Sequence, residues 1–207
     1  MTLGARAPEA RRQLILDAAR EVLHDRGFAG ARVADIARHA GTSPGLVVYH
    51  FGTLSALLAE AVTRVEEDFY DDLDRKLGDT ACPVSKLRYC AEFSAEDGRA
   101  LGDWALWLEI WVQALRDDTA RATREQLDRR LRATIEAIIV EGCDDGTFTC
   151  PDPPAAAARL ASLIDGLAVQ LALKDPAMSS DRMMSLWLAA AALELGVQVD
   201  IFDRVMS

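Results

Sequence analysis

Hydroxyl, phenol and imidazole side chains cluster between residues 42 and 53, beside a proline and a glycine. Groups of this kind bind phosphates and the edges of bases when they stand at the start of a helix. Glycine leaves the backbone bare at that point, so another surface can approach it closely. The segment therefore predicts a DNA-binding surface made of Thr42, Ser43, Pro44, Gly45, Leu46, Val48, Tyr49, His50 and Thr53.

Two short helical patterns position this surface. Apolar residues at i, i+3, i+4 and i+7 predict a first helix with one inward face, made of Val33, Ile36, Ala37 and Ala40. Gly41 follows where a left-handed residue ends a helix. Ser43 is placed to cap the next helix, with Pro44 at its first position and Leu46 and Phe51 facing inward. Two short helices joined by such a turn are typical of a helix-turn-helix.

Over residues 9–65 the sequence resembles the DNA-binding domain of the tetracycline-repressor (TetR) family. The resemblance is carried by Gly27-Phe28, Val33-Ala34-Asp35-Ile36-Ala37, Ala40-Gly41-Thr42-Ser43 and Tyr49-His50-Phe51. It implies that the second short helix reads DNA and that positions 32 and 54 touch the DNA backbone. Where the family usually has threonine and lysine, this chain has Arg32 and Leu54, and Val48 replaces a common tyrosine. Arg32 is therefore expected to contact a phosphate and Leu54 is not.

Charge is distributed unevenly along the chain of 207 residues, whose net charge is −10. Residues 1–52 hold seven arginines and five acidic residues, a net charge of +2, while the remainder holds 16 basic and 28 acidic residues, a net charge of −12. Exposed charges are screened beyond about 10 Å in ordinary salt, so DNA would respond to the local, basic end. Arg11 and Arg12, near the start of the first long helix, could reach a phosphate, although a solvated helix face is the commoner role of such residues.

The whole chain is predicted to be all-α, with about nine helices. No stretch alternates apolar and polar residues with the period of a strand. We expect a DNA-binding domain over residues 1–52 and a helical ligand-binding and dimerisation domain over residues 53–207. The long helices are predicted near residues 8–26, 54–77, 83–95, 100–117, 119–144, 153–173 and 180–199.

An aromatic cluster in the second domain predicts a ligand site. Trp104, Trp107 and Trp111 share one side of a helix in which Glu109 is the only polar residue from Trp104 to Val112, so this helix is expected to be buried nearly all round. Aromatic faces beside a carboxylate suit a cation, although tryptophans at this spacing also occur in an ordinary core, and a neutral, lipid-like effector is a further possibility. Glu109 is expected to pair with a ligand or with Arg88 or Arg159. The predicted site consists of Phe69, Tyr89, Phe93, Trp104, Trp107, Leu108, Glu109, Trp111 and Asp165.

The second domain is also similar to the choline-responsive, betaine-pathway repressors within the TetR family. The similarity lies in residues 104–116 (WALWLEIWVQALR), in Gly146-Thr147-Phe148 and in Asp165-Gly166-Leu167-Ala168. It implies a pocket in this domain for a small effector. Binding of that effector is expected to change the spacing of two DNA-binding heads.

Two helices near the carboxyl end are apolar on more than one side and predict a homodimer. A larger internal core is the alternative explanation. The residues expected at the dimer interface are Leu160, Leu163, Ile164, Leu167, Leu171, Met183, Trp187, Ala190 and Leu193. A helix-turn-helix dimer reads two half-sites of a palindromic operator in double-stranded DNA.

These features favour a cytoplasmic, ligand-released repressor with no catalytic residues, no metal, no cofactor and no membrane contact. One alternative is a small helical binding protein or enzyme with an incidental helix-turn-helix; all three histidines, however, lie in the first 50 residues. The other is a DNA-binding regulator without a small ligand, controlled by protein contacts or by oxidation of its four cysteines, Cys82, Cys90, Cys143 and Cys150.

Overall fold

The computed structural model describes residues 6–77, 82–95 and 100–204, and these residues form helices joined by short connections. The described helices are α1 (Arg6–Gly30), α2 (Val33–His39), α3 (Pro44–Phe51), α4 (Leu54–Leu77), α5 (Pro83–Ala95), α6 (Ala100–Ala114), α7 (Asp118–Asp144), α8 (Pro153–Ala172), α9 (Ser180–Leu195) and α10 (Ile201–Arg204). The all-α class is confirmed.

The turn between α2 and α3 has the geometry that its sequence predicts. Gly41 has a left-handed φ of 62°, and the N–H groups of Gly41 and Thr42 donate to Arg38 O and Ala37 O. These two bonds satisfy the last carbonyls of α2 in the manner of a Schellman motif. Ser43 caps α3, because its Oγ accepts a hydrogen bond from the Leu46 N–H at 3.2 Å. The helix-turn-helix is thus fixed by local chemistry.

A kink at Gly27 divides α1. Gly27 has φ 63° and ψ 174°, which is not helical, and one further helical turn follows it to Gly30. The predicted end of the first helix at residue 26 corresponds to this kink. A side chain at Gly27 would be strained by the positive φ.

The chain forms two compact units. Unit 1 comprises Met1–Glu67 and Ala105–Glu125, and unit 2 comprises Asp68–Trp104 and Gln126–Ser207. Unit 1 therefore holds the predicted DNA-binding domain together with the first part of α4, most of α6 and the start of α7. Within unit 1, an ion pair between Glu60 and Arg12 ties α4 to α1. The domain boundary at residue 52 stays a prediction.

Unit 2 is built around one apolar core to which α5, α7, α8, α9 and α10 contribute. Its largest fully buried side chain, Trp187 of α9, donates from Nε1 to Leu160 O of α8 at 3.0 Å. Phe148 folds back over α7 after the turn at Gly146, as predicted, and its N–H donates to Gly142 O. A Cβ on Gly142 would lie 2.1 Å from the Phe148 ring, so only glycine fits there.

The carboxyl end of the chain differs from the prediction. We expected α9 to continue to about residue 199, but it ends at Leu195 because Gly196 adopts a left-handed φ of 63°. The short helix α10 follows, which the sequence pattern did not predict. It buries Phe202 completely, and Arg88 of α5 donates to the Phe202 carbonyl at 3.0 Å.

Candidate nucleic-acid interface

Helix α3 has a buried side and an exposed side. Val47 and Phe51 are buried, whereas Val48 and Tyr49 are exposed, and 81% of the Tyr49 side chain is accessible. Leu46, which we predicted to face inward, is only half-buried, and Val47 fills that position instead. Six of the predicted DNA-binding residues lie on α3, and four of these six are exposed: Pro44, Gly45, Val48 and Tyr49.

The amino-terminal end of α3 is open to a partner. Ser43, Pro44 and Gly45 are exposed, and Thr42 is half-buried. The Ser43 oxygen accepts the capping bond, which leaves the hydroxyl proton of Ser43 available to an external acceptor. The first N–H groups of a helix and its dipole favour an anion such as a phosphate.

Tyr49 and His50 extend this surface toward the other end of α3. Their rings meet edge to face with centroids 5.4 Å apart, and the His50 ring is half-buried beside Phe51. Tyr49 therefore presents its hydroxyl outward, while His50 also supports the helix. Thr53 is exposed and caps α4, because its Oγ1 accepts from the Ala56 N–H at 3.0 Å.

Five arginines of the head fall into two groups. Arg26 and Arg38 both pair with Asp35, and Arg12 pairs with Glu60. Arg12 is thus engaged within the protein, which corrects the expectation that it reaches a phosphate.

Arg11 and Arg32 form the second group. Both are exposed, and within the described residues neither forms an ion pair with a carboxylate. Arg32 lies at the start of α2 in an extended conformation without a capping side chain. Both guanidinium groups are therefore available to phosphates.

Five predicted ligand-binding residues lie in unit 2, and the side chains of four of them are described. Tyr89 and Phe93 of α5 have ring centroids 6.4 Å apart, and Trp104 donates from Nε1 to Ser94 O at 3.1 Å. All three aromatic side chains are half-buried and pack on the core, and Asp165 of α8 is also half-buried. Helices α5 and α8 are in contact. The side chain of Phe69 lies outside what the structure describes.

The other four belong to unit 1 and are half-buried: Trp107, Leu108, Glu109 and Trp111. Helix α6 is not buried all round as expected, because 56% of Val112 is exposed. Glu109 Oε1 lies 3.7 Å from the position that a Cβ on Gly27 would take, so this carboxylate faces the kink of α1.

Neither arginine suggested as a partner for Glu109 pairs with it. Arg88 pairs with Glu92 and Asp203 of unit 2. Arg159 donates to both carboxylate oxygens of Glu194 at 2.5 Å, and these hydrogen bonds hold the pKa of Glu194 below its usual range.

Most residues predicted at the dimer interface pack inside unit 2. Six of them are buried within the single chain: Leu160, Ile164, Leu167, Leu171, Met183 and Trp187. Their side chains fill one chain's own core, which corrects the expectation for these six and matches the alternative of a larger internal core. Leu193 is 86% exposed, and Leu163 and Ala190 are half-buried, so these three remain available to a second copy.

The cysteines are all unpaired and differ in exposure. Cys82 is exposed, Cys143 and Cys150 are half-buried, and Cys90 is buried. Burial raises the pKa of the Cys90 thiol to about 12, so it stays protonated and unreactive. In the ranges that the structure describes, no cluster of three His, Cys, Asp or Glu side chains could hold a metal ion.

A capped helix-turn-helix with a solvent-exposed recognition helix, placed before a larger helical core, defines a DNA-binding transcriptional regulator. Comparison with known families agrees. Residues 15–61 match the model of bacterial regulatory proteins of the tetR family, and residues 86–196 match the BetI-type transcriptional repressor C-terminal model. The chain belongs to the TetR family, with a BetI-type carboxyl-terminal domain, and is not an enzyme.

Individual proteins support this assignment. The HTH-type transcriptional regulator BetI of Paraburkholderia phytofirmans is 33% identical over 172 residues, covering 80% of this chain and 82% of that protein. BetI of Agrobacterium fabrum is 30% identical, covering 80% and 78%. A transcriptional regulator from Saccharomonospora viridis, solved in complex with choline, has a TM-score of 0.82 at 27% identity, covering 90% of this chain and 98% of that one.

Proposed function

We propose that this protein is a cytoplasmic homodimeric repressor that binds a palindromic operator and leaves it when a quaternary ammonium compound of the choline class binds the carboxyl-terminal domain. The DNA-facing part consists of α3 with Arg11, Arg32 and Thr53. Family membership supports operator binding and a small effector in general terms. The nature of the effector is argued from unit 2.

The observation that carries the effector class is the set of half-buried aromatic rings on the core of unit 2. Tyr89, Phe93 and Trp104 place three aromatic side chains within one unit, and Asp165 adds a carboxylate on the neighbouring α8. Aromatic faces attract a cation that sheds its water easily, and a quaternary ammonium does so. The choline-bound structure from Saccharomonospora viridis supports this class.

Choline at saturating concentration is expected to raise the melting temperature of the protein by about 5–10 °C, because a ligand at a hundred times its Kd stabilises the folded state by ~2.7 kcal/mol. It should also release labelled operator DNA in a fluorescence anisotropy titration. A shift produced by fatty acids or acyl chains and not by choline would support a neutral effector instead.

Substitution of two carboxylates tests which of them, Asp165 or Glu109, lies beside the bound cation. Asp165→Asn is expected to abolish the choline-dependent shift. Glu109→Gln is expected to keep it, because Glu109 faces the kink of α1 within unit 1. The opposite pattern would place the cation beside Glu109, as the sequence alone predicted.

Dimerisation is proposed through the outer side of α8 and α9. On α9 the exposed residues Ser185, Ala189 and Leu193 recur every four positions, and on α8 Ser162 and Gly166 are exposed, with open space around Gly166. Small residues beside a leucine allow two helices to approach a symmetry-related pair closely.

Leu193→Glu is expected to weaken the dimer by at least about a hundredfold, since burying one leucine contributes ~1.5–3 kcal/mol and a two-fold axis counts each substitution twice. Sedimentation at micromolar concentration measures the effect. Leu115→Glu is the control, because Leu115 is 77% exposed and follows α6 in unit 1, outside α8 and α9. A Leu193→Glu protein that stays dimeric contradicts the proposed interface.

A further inference from the structure

Arg12 of α1 joins three helices of unit 1. Its Nε and Nη2 donate to the two carboxylate oxygens of Glu60 in α4, the first at 3.0 Å. Its Nη1 donates to His50 O at the end of α3 at 2.9 Å. Its guanidinium carbon lies 4.4 Å from the centre of the Phe51 ring. One side chain therefore holds the last turn of the recognition helix to α4.

Helix α3 needs such support. It has only eight residues, and a helix of that length is not stable on its own. The His50 carbonyl is one of the last four in α3, and these carbonyls have no partner inside the helix. A cation at this end of the helix is also stabilising, because it interacts favourably with the negative end of the helix dipole. Arg12 thus satisfies a carbonyl, covers a buried ring and supplies a charge at a single point.

A lysine cannot replace this arrangement. Arg12 uses three of the donors that a planar guanidinium presents in a fixed fork, whereas lysine carries a single ammonium group. The Arg12 and Glu60 side chains are 30% and 35% exposed, so solvent screens the pair in part. The Arg12–Glu60 contact therefore contributes more by fixing the orientation of the side chains than by charge attraction.

We propose that Arg12 is a positioning residue for DNA recognition: together with Glu60 it sets the orientation in which α3 presents Tyr49 and the open end at Ser43 to the operator. The proposal rests on the proposed role of α3 in operator binding. It predicts that Glu60, an acidic residue of the head unit, promotes binding of a polyanion.

The predicted change in DNA affinity on removing Glu60 is opposite to the change expected from charge alone. Removing a negative charge near DNA ordinarily strengthens binding, because fewer like charges oppose the phosphates. Glu60→Gln also frees Arg12, which would strengthen binding further if Arg12 were a phosphate contact. If Arg12 positions α3, Glu60→Gln weakens specific binding despite the gain of one unit of positive charge.

The matched control is Glu67→Gln. Glu67 also lies on α4 and pairs with an arginine, Arg64, but that pair is exposed and lies within the one helix. The operator is the sequence that the wild-type protein selects from a random DNA pool, and affinity is measured on it and on unrelated DNA at fixed salt. We expect Glu60→Gln and Arg12→Lys to weaken specific binding by about three- to tenfold, a size typical of coupling within a hydrogen-bonded network. Unrelated DNA should bind both variants at least as tightly as it binds wild type, and Glu67→Gln should not lose affinity for either DNA.

Amide hydrogen exchange of the full-length protein supplies a readout without DNA. Peptides covering residues 44–51 should exchange at least about threefold faster in Glu60→Gln and Arg12→Lys than in Glu67→Gln, with no general loss of protection elsewhere in the chain. Unchanged exchange in α3, or specific binding as tight as wild type in Glu60→Gln, overturns the proposal. If the wild-type protein selects no DNA sequence, the proposed function fails, while hydrogen exchange still decides whether Arg12 holds α3.

Discussion

Tyr49→Ala is expected to weaken operator binding by about ten- to a hundredfold, since one well-placed contact to DNA contributes ~1–3 kcal/mol. Tyr49 is 81% exposed in the free protein, so its removal should leave the fold intact. Fluorescence anisotropy with the selected operator measures the affinity, and thermal unfolding checks that the variant is as stable as wild type.

The expected effect is large because Tyr49 is the only one of the exposed residues of α3 whose side chain can form a hydrogen bond. Leu54 and Val48 occupy positions at which the resemblance to the TetR DNA-binding domain implies a lysine and a tyrosine. Neither side chain donates a hydrogen bond to a phosphate. We therefore expect binding to depend on Tyr49, Ser43, Arg11, Arg32 and the first N–H groups of α3.

Two further variants show which part of the Tyr49 side chain contributes to DNA affinity. Tyr49→Phe keeps the ring and removes only the hydroxyl, so it separates a hydrogen bond from an apolar contact. Val48→Ala shortens an exposed neighbour without removing any polar group and should change affinity much less. Operator binding by Tyr49→Ala at wild-type strength would show that α3 does not read DNA through this residue.

The elements that the sequence predicted well are those with local chemical causes. Gly41 ends α2, Ser43 caps α3, and Gly146 ends α7 before Phe148 packs back. Each of these signals acts over a few residues. They can therefore be recognised without knowledge of which helices meet.

The contacts that escaped prediction are those between distant parts of the chain. Arg12 meets Glu60 across 48 residues, and a basic residue near a DNA-binding segment looks the same whether it binds a phosphate or a carboxylate. The inward position of Val47 was missed for a different reason. Residues 46, 47 and 48 are all apolar, so their spacing alone cannot decide which of them is buried.

Apolar composition also could not separate an internal core from a dimer surface. In α8 the buried residues Leu160, Ile164, Leu167 and Leu171 recur at helical spacing along one face. One apolar face of a helix needs only one packing surface to cover it, and the other helices of unit 2 provide that surface within the same chain. The surface that we propose for a second copy instead lies among small and polar residues on the exposed side of α8 and α9.

The same stripe makes α8 a poor candidate for crossing a membrane. Residues 153–172 are long and apolar enough for a span by length and composition alone. In the structure, eight of the twenty residues of α8 are buried, and they belong to the core of unit 2. Its hydropathy is explained by packing inside a helical protein.

Trp187→Ala is expected to produce the largest loss of stability, lowering the free energy of unfolding by ~3–5 kcal/mol. The Trp187 side chain is fully buried in unit 2, and its removal leaves a cavity between helices that cannot close over so large a volume. It also removes the hydrogen bond from Nε1 to Leu160 O, which links α9 to α8. Urea unfolding followed by circular dichroism measures the change, and the melting temperature should fall by about 10 °C or more.

Protein concentration distinguishes this explanation from the dimer interface predicted at first for Trp187. If Trp187 fills the core of one chain, the loss caused by Trp187→Ala persists at every concentration, and Trp187→Phe, which keeps most of the volume, recovers much of it. If Trp187 lay between two chains, the deficit would shrink as concentration rises, because mass action restores the dimer. Leu193→Ala provides the contrast, since its exposed side chain should affect association while the stability of the dissociated chain changes by less than about 0.5 kcal/mol.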